Sequence, residues 1–195
     1  MKINIRRLSG NWNDGYALDK HVLSSSFAGH NEHGYAKFDT ERSQAGESVY
    51  QLKYRQDWGQ TDILATAVHE HIVPLLPAIG LIVPMPPSNI RARQPVYEIA
   101  AALAKRMQLT SFENIIAKAA STTGQSLKNL ATKQEKMAEL SGRFSINDGI
   151  GSDGRWNALL LDDLFDSGAS MEAATTALRS YEKIDGVYAV ALTWK

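Results

Sequence analysis

The sequence contains no cysteine, and this absence excludes disulfide bonds and zinc sites with cysteine ligands. It also lacks a long uninterrupted apolar run, because the longest apolar stretches, around residues 72–85, are broken by prolines and are too short to span a bilayer. The segment MKINIRRLSG at the start has no apolar region of the kind that a secretory signal requires. We therefore expect a soluble, cytoplasmic protein without a membrane partner.

The 195 residues, 44% of them hydrophobic, are enough to bury the core of one domain with an appendage. The formal net charge is zero, which argues against a nucleic-acid partner without excluding one. Cations nevertheless exceed acids in residues 91–145, and acids exceed cations in residues 146–195. A substrate that carries a diphosphate and Mg²⁺ would match this division, and an unevenly charged solvated surface is the alternative.

Residues 1–60 and residues 61–195 differ in pattern, and we predict a division between them. The first segment mixes glycine, aromatic and polar residues, and its alternating run at 48–54 predicts short strands and turns. The second predicts helices over 61–71, 95–107 and 171–181, strands over 80–84, 115–118, 143–146, 158–161 and 187–194, a turn or short capped helix at 110–113, and a polar helix or mobile loop at 128–140. This alternation predicts the α/β class, a mainly parallel sheet flanked by helices, with a small N-terminal β-rich hood.

The segment ALLLDDLFDSGAS, residues 158–170, carries the clearest signal in the chain. Its apolar run of four residues is typical of a strand buried on both faces of a parallel sheet. Asp162 and Asp163 follow where this strand is expected to end, and ligands bind at that carboxyl edge of open parallel sheets. Paired carboxylates can accept hydrogen bonds from a ribose diol or hold Mg²⁺ through water.

A small turn then leads into the last predicted helix, and it consists of Asp166, Ser167, Gly168, Ala169 and Ser170. The turn offers free backbone N–H groups, the positive end of the helix dipole, two hydroxyls and a glycine that lets the backbone approach an anion. It is therefore predicted to bind a phosphate. An acid pointing into such a site would repel the phosphate by roughly 3 kcal/mol at about 5 Å and an effective dielectric of about 20, so we expect Asp166 to point away.

Two acids, two apolar residues and a small hydroxylated turn together resemble the signature with which type I phosphoribosyltransferases bind phosphoribosyl diphosphate (PRPP). The spelling DDLFDSG is similar to that of the 6-oxopurine phosphoribosyltransferases, in which an acid at the place of Asp166 faces the purine and transfers a proton. The resemblance implies a catalytic role for Asp166, and helix capping is the other role open to it. It also implies the type I phosphoribosyltransferase fold, Mg²⁺ as cofactor and a possible homodimer.

Further segments resemble the ComF-like branch of predicted amidophosphoribosyltransferases. These are residues 51–55 (QLKYR), residues 82–88 (IVPMPPS) with the arginines and Ala-rich helix that follow, and residues 122–144. Two features depart from that branch, because the chain lacks its N-terminal zinc-binding cysteines and has RQPVY at 93–97 in place of an Arg-Gly-Phe-Asn-Gln segment. These departures argue against the competence-related roles of that branch.

A loop after the strand predicted at 80–84 completes the expected PRPP site. By resemblance, Ser88, Arg91 and Arg93 would bind the pyrophosphate part of PRPP. A guanidinium fork also suits a diphosphate geometrically, whereas a solvated loop without a ligand is the alternative.

A second loop has the composition expected of the flexible segment that closes over PRPP in this fold. Thr122, Thr123 and Lys128 belong to this small, hydroxylated segment, for which an ordinary connector is the alternative. Two other patterns are rejected as sites. The letters GxGxxG at 149–154 precede a strand instead of following one, and the histidines of HEH at 69–71 would point to different faces of a helix.

The activity that the resemblance implies is transfer of ribose 5-phosphate from PRPP to a nitrogen nucleophile, a nucleobase or an amine, with release of pyrophosphate. Mg²⁺ would reach the site through the substrate and water, without direct protein ligands. The alternative is a non-catalytic module on the same fold that senses PRPP or a nucleotide, or that binds a partner or serves DNA uptake. The nucleophile pocket is not assigned, and aromatic residues within 1–60 are its candidate lining.

Overall fold

The computed structural model of the chain describes residues 1–89, 91–121, 124 and 127–195. Within them the elements are, in chain order, β1 (Arg6–Arg7), β2 (Asp14–Lys20), β3 (Val22–His30), β4 (Ala36–Arg42), α1 (Gln44–Arg55), α2 (Gln60–His71), β5 (Leu81–Pro84), α3 (Pro95–Met107), β6 (Thr110–Ser111), β7 (Ile116–Lys118), α4 (Lys133–Leu140), β8 (Phe144–Ile146), β9 (Trp156–Phe165), α5 (Ala169–Arg179) and β10 (Ile184–Trp194). Single 3-10 turns lie at Val73–Leu75 and Leu127–Asn129. In this part of the chain no helix is both long and apolar enough to cross a membrane.

The central sheet has the strand order β1-β2-β10-β9-β5-β6 among the described residues. Strand β2 pairs in parallel with β10, β10 with β9, β9 with β5 and β5 with β6, and β1 is antiparallel to β2. This arrangement confirms the predicted mainly parallel sheet. Because parallel strands end at the same edge, the loops after β2, β5 and β9 meet there, beside the last residues of β10.

Helices cover both faces of the sheet and form two apolar clusters. Side chains alternate along β9, so that Leu159 and Leu161 pack with α1, α2 and α3, whereas Ala158 and Leu160 pack with α5. All four side chains are fully buried. The same alternation continues past Leu161 and directs the next two residues of the strand to opposite faces.

Strand β9 is longer than the strand predicted at 158–161. Strand β9 pairs with β10 as far as Phe165, whereas the pairing of β9 with β5 ends at Leu161. The two acids are therefore held by a strand that is paired on one side only. The short strand β6 replaces the turn or helix predicted at 110–113, and the strands predicted at 115–118 and 143–146 form a separate antiparallel pair, β7 and β8.

The strand predicted from the alternation at 48–54 is wrong, because this segment lies within helix α1. Ser43 caps the helix by accepting a hydrogen bond from the Gly46 amide. The buried residues Ala45, Val49 and Leu52 have helical spacing, and their packing under the sheet outweighs the local alternation of polar and apolar residues.

The segment predicted as a separate hood, residues 1–60, also requires correction. Strand β2 lies inside the central sheet, where Ala17 and Leu18 are fully buried on its two faces, and α1 packs on that sheet. The part outside the central sheet is the hairpin of β3 and β4. A boundary at residue 60 would thus separate β2 from β10, with which it pairs. The β-rich appendage is confined to this hairpin, which leaves the sheet at the edge where the acids lie.

Candidate functional site

Two neighbouring pockets lie at the carboxyl edge of the sheet. The smaller has a volume of about 120 Å³ and is lined mainly by the turn between β9 and α5. The larger has a volume of about 290 Å³ and is lined by the loop after β5 and by parts of α1, α3 and β7. Asp162, Leu164 and Ser170 line both pockets, so the two cavities are adjacent and meet at the acidic strand end.

The turn between β9 and α5 forms the wall of the smaller pocket, and its lining includes every residue from Phe165 to Met171. Helix α5 begins at Ala169, so its first N–H groups have no partner within the helix and are available to an anion. The Ala169 amide makes a long contact of 3.5 Å with the Ser167 hydroxyl. The predicted cradle of Asp166, Ser167, Gly168, Ala169 and Ser170 thus lies around one small cavity.

Gly168 is required by the shape of the turn. It has a positive φ of 80° and caps α5, and a Cβ atom at this position would lie 2.9 Å from the Phe165 ring. Phe165 is itself held edge-on against Trp12, at a ring distance of 6.1 Å. The sequence-based reason for this glycine, close approach of an anion, is therefore accompanied by a structural reason that applies without any ligand.

Asp166 is one of the residues that line the smaller pocket. Its carboxylate accepts a hydrogen bond of 2.8 Å from Lys136 of α4 and lies 3.5 Å from the Lys195 ammonium. The hydrogen bond from Lys136, followed by the charge of Lys195, lowers the pKa of Asp166. Two cations therefore balance the negative charge that would otherwise repel a phosphate.

Asp163 points toward α1, as the alternation of β9 requires, and pairs there with Lys53. The Lys53 ammonium lies 2.6 Å from the Asp163 carboxylate, and both side chains are largely buried. Burial by itself lowers the pKa of Lys53, but the attraction of Asp163 outweighs it and the net pKa is raised. Lys53 therefore remains charged at the edge of the larger pocket.

Asp162 points to the other side of the strand and lies between the two pockets. Burial, and then the negative charge of Asp163, raise its pKa to about 7. One of its oxygens accepts a hydrogen bond of 2.8 Å from the Asp163 amide. At neutral pH the pair of acids thus carries less than two full negative charges, and a bound cation or hydroxyl donors would favour release of the remaining proton.

A dependence of stability on pH follows from this raised pKa. Between about pH 4, where a free aspartate titrates, and about pH 7, the folded chain holds a proton at Asp162 that the unfolded chain releases. Folding stability is therefore expected to fall as the pH rises through this window. Asp162→Asn should stabilise the protein more at pH 8 than at pH 5, as measured by urea unfolding. An equal gain at both pH values would show that Asp162 is not protonated in the folded chain.

The larger pocket contains two of the three residues predicted for pyrophosphate. Ser88 and Arg91 line it, and a third polar residue, Lys118 of β7, donates to the Ser88 hydroxyl at 3.3 Å. Burial, and then the nearby Arg143, lower the pKa of Lys118. The Arg91 guanidinium donates to the Lys53 carbonyl oxygen at 3.1 Å. An anion in this pocket would gain one cation from the loop after β5 and one from strand β7.

Arg93 lines neither of the two pockets, so the structure does not bring it together with Ser88 and Arg91. Its guanidinium stacks on the Trp58 ring at 4.0 Å and donates to Glu98 in the first turn of α3 at 2.8 Å. These two contacts hold the side chain on the surface beside α3. A guanidinium fork suits a ring face and a carboxylate as well as it suits a diphosphate, so the residue type alone could not distinguish these roles.

The predicted flexible segment lies mostly outside the described residues. Thr122 and Thr123 are outside them, and for Lys128 only the backbone, within the turn Leu127–Asn129, is described. Their assignment to a loop that closes over PRPP stays a prediction. Nearby, α4 lies beside the smaller pocket and supplies Lys136 to it.

Three site residues, Lys53, Lys118 and Lys136, were not found by sequence reasoning. Each comes from a different element, and each lies in the pockets through tertiary packing alone. The excess of cations in residues 91–145 was a signal for the last two, because it anticipated a basic wall opposite the acids of β9. The QLKYR segment carries a family resemblance, but its alternating pattern predicts a strand. Lys53 lies instead on helix α1, which directs it to the pocket.

The larger pocket also has an apolar and aromatic side. It is formed by Tyr54, Met85, Pro86, Val96 and Tyr97. Burial raises the pKa of Tyr97, and Tyr54 is 62% exposed. Such a surface next to the acids suits a planar ring. Across the described residues, no three histidine or acidic side chains cluster as a metal site made only of protein ligands.

No protein-family model matches the sequence, and no curated protein matches it. The adenine phosphoribosyltransferase of Trypanosoma brucei, solved with AMP, pyrophosphate and ribose 5-phosphate, matches over 100% of this chain and 87% of its own, with 10% identity and a TM-score of 0.50. That of Leishmania tarentolae matches over 98% and 95%, with 8% identity and a TM-score of 0.49.

The UMP synthase of Leishmania donovani is also similar, over 88% of this chain, with 13% identity and a TM-score of 0.40. This chain spans only 29% of the length of that enzyme. The agreement with the Trypanosoma enzyme extends over the whole chain, and the sheet is parallel and flanked by helices on both faces. The chain therefore has the type I phosphoribosyltransferase fold.

Proposed function

We propose that this protein is a phosphoribosyltransferase that transfers ribose 5-phosphate from PRPP to a nitrogen nucleophile and releases pyrophosphate. One observation carries the proposal: a phosphate-sized cradle and a cation-lined pocket adjoin each other and share the acidic end of β9. PRPP has the same order of groups, with a 5-phosphate, a ribose diol and a diphosphate. The Trypanosoma enzyme of similar fold was solved with AMP, pyrophosphate and ribose 5-phosphate, which supports this assignment.

The 5-phosphate would lie in the smaller pocket. The N–H groups of the first turn of α5 and the hydroxyls of Ser167 and Ser170 would donate to its oxygens. Gly168 gives the turn its shape, and Ala169 begins the helix. Because Lys136 and Lys195 balance Asp166, the cradle is not negatively charged overall.

The ribose would lie over Asp162 and Asp163, whose carboxylates can accept hydrogen bonds from its two hydroxyls. The same oxygens fit Mg²⁺, which prefers carboxylate and water ligands. Because Lys53 already pairs with Asp163, the ligands of Mg²⁺ would be mainly substrate oxygens and water molecules. Bound Mg²⁺ would supply charge neutralisation to the diphosphate leaving group.

The diphosphate would lie in the larger pocket, with Ser88, Arg91 and Lys118 as donors. As the bond from C1 to the diphosphate breaks, negative charge develops on the leaving group, and these cations would stabilise it more strongly than in the ground state. Positive charge would develop at C1, near the paired acids. The nucleophile nitrogen forms the new bond to C1 with its electron pair. The diphosphate leaves with the electron pair of the broken C1–O bond.

Asp166 would accept the proton that the attacking nitrogen loses. It is ionised near neutral pH, and its side chain is 45% exposed, so the carboxylate is open to a proton from the nucleophile. The aromatic side of the larger pocket would hold a planar nucleobase, and an amine is the other nitrogen nucleophile open to the site. Membership of the ComF-like branch, and a homodimeric state, belong to the same proposal and rest on the sequence resemblance.

Arginine substitutions test the diphosphate pocket with a matched control. Arg91→Gln is expected to weaken binding of Mg-pyrophosphate roughly 10- to 100-fold, the usual span for one charge-assisted hydrogen bond. Arg93→Gln removes the same charge from a side chain that does not line the pocket and that contacts Trp58 and Glu98 instead, so it should leave affinity nearly unchanged. Isothermal titration calorimetry measures both. Equal losses in the two variants would remove Arg91 from the site.

Binding of PRPP tests the proposal as a whole. Calorimetry with PRPP should show one site per chain whose affinity rises when Mg²⁺ is added, and ribose 5-phosphate and pyrophosphate should each compete. Absence of PRPP binding with Mg²⁺ present would contradict the proposal. Binding without turnover toward any base or amine would instead favour a non-catalytic sensor of PRPP.

A further inference from the structure

Helix α4 lies against the first turn of α5 and is held there by two lysines. Lys133 pairs with Glu172 at 2.6 Å, and Lys136 pairs with Asp166 at 2.8 Å. The start of α4 is fixed by a reciprocal cap in which Thr132 accepts from the Glu135 amide and the Glu135 carboxylate accepts from the Thr132 amide. The helix therefore presents Lys136 at a defined place on the wall of the phosphate cradle.

The phosphate cradle and the first turn of α5 together contain more acidic side chains than an anion site would suggest. Asp166 stands at its first position, and Glu172, with a side chain only 11% exposed, lies in the first turn of α5. Each acid is matched by one lysine of α4. Without α4, Asp166 would keep only Lys195 as a counter-charge, and Glu172 would lose Lys133.

Lys136 is more buried than the acid it contacts. Its side chain is 14% exposed, against 45% for Asp166, and it lines the same pocket as Ser167 and Ser170. Within the described part of the chain its ammonium has one acceptor, although an ammonium carries three donors. Since an ion pair with a half-exposed partner contributes little to stability, folding alone gives little reason to desolvate a lysine here.

We infer that Lys136 is a ligand of the 5-phosphate, supplied to the cradle by α4. This inference rests on the proposed function and extends it, because it names a side chain from outside the PRPP turn as part of the phosphate site. The ammonium keeps its hydrogen bond to Asp166 and donates to a phosphate oxygen with its remaining N–H groups. An acid at the first position of the cradle is thereby made compatible with a dianionic ligand.

Calorimetry with ribose 5-phosphate, compared with Mg-pyrophosphate, tests the inference. Lys136→Met should weaken ribose 5-phosphate binding roughly 10- to 100-fold and leave Mg-pyrophosphate binding nearly unchanged, because only the first ligand reaches the cradle. Lys136→Arg should retain most of the affinity. Lys37→Met, on the exposed hairpin strand β4, removes the same charge elsewhere and should change neither ligand.

The double variant Lys136→Met with Asp166→Asn distinguishes two roles of Lys136. The lysine either binds the phosphate directly or only neutralises the charge of Asp166. Part of the lost affinity should return, since the unpaired acid is gone, but the donor to the phosphate is still missing. Full recovery of ribose 5-phosphate binding would overturn the inference, as would wild-type affinity in Lys136→Met. A wild-type protein that binds neither ribose 5-phosphate nor Mg-pyrophosphate would contradict the proposed function itself, and with it this extension.

Discussion

Replacing Asp166 by asparagine is expected to lower turnover about 10²- to 10⁴-fold, the usual contribution of a positioned acid–base group. Asparagine keeps the shape of the side chain, but it cannot accept the proton that the nucleophile nitrogen releases. The substitution also removes a negative charge from the phosphate cradle, so PRPP affinity should be equal to or higher than that of the wild type. The measurement is steady-state release of pyrophosphate, with kcat and KM determined separately.

A matched control supports the interpretation of that loss. Asp185→Asn removes the same charge from an exposed ion pair with Arg155 at the opposite end of β10, and it should leave kcat unchanged. If Asp166→Asn turned over as fast as the wild type, Asp166 would have only a structural role. A parallel fall in kcat and in PRPP affinity would place it in substrate binding instead.

The second large effect is expected at Asp163. Asp163→Asn removes a charged acceptor for the ribose diol and leaves the largely buried Lys53 ammonium beside a neutral amide. A charged acceptor for a ribose hydroxyl is lost together with the ion pair that positions Lys53 at the larger pocket, so PRPP affinity in the presence of Mg²⁺ should fall by about 100-fold or more. Loss of the ion pair should also lower the thermal midpoint, because a buried charge is left without its partner.

Its controls separate loss of the site from loss of the fold. Asp62→Asn breaks an exposed ion pair with Arg106 and should affect neither PRPP affinity nor the midpoint. Pyrophosphate alone does not occupy the ribose part of the site. It should therefore still bind to folded Asp163→Asn protein. Unaltered PRPP binding by folded Asp163→Asn would leave this acid with a structural role only.

The segment 158–170 could be interpreted from sequence because its signals are local. A buried strand, paired acids and a turn before a helix are contiguous, and the structure places them at the edge of the sheet as one strand, turn and helix. The extension of β9 to Phe165 was missed since it depends on pairing with β10, a partner about 30 positions later. The same parallel pairing brings β2 into the sheet and removes most of the predicted hood.

The basic side of the site could not be predicted residue by residue. Lys53 reaches Asp163 only because α1 packs across the sheet. The alternation of polar and apolar residues around Lys53 predicts a strand, whereas the segment is helical. Lys118 and Lys136 come from β7 and α4, which meet the pockets through packing with no local pattern. Arg93 has the residue type and the loop position expected of a diphosphate ligand. Its side chain nevertheless contacts Trp58 and Glu98 in the folded chain.

The most direct test of the phosphoribosyltransferase assignment is release of pyrophosphate from PRPP by the purified wild-type protein with Mg²⁺, across a panel of purine and pyrimidine bases, glutamine and ammonia. The proposed site predicts release that depends on one nitrogen nucleophile and on Mg²⁺, and that is reduced in Asp166→Asn. Tight PRPP binding with no pyrophosphate release for any nucleophile would contradict the assignment and indicate a sensor built on the same fold.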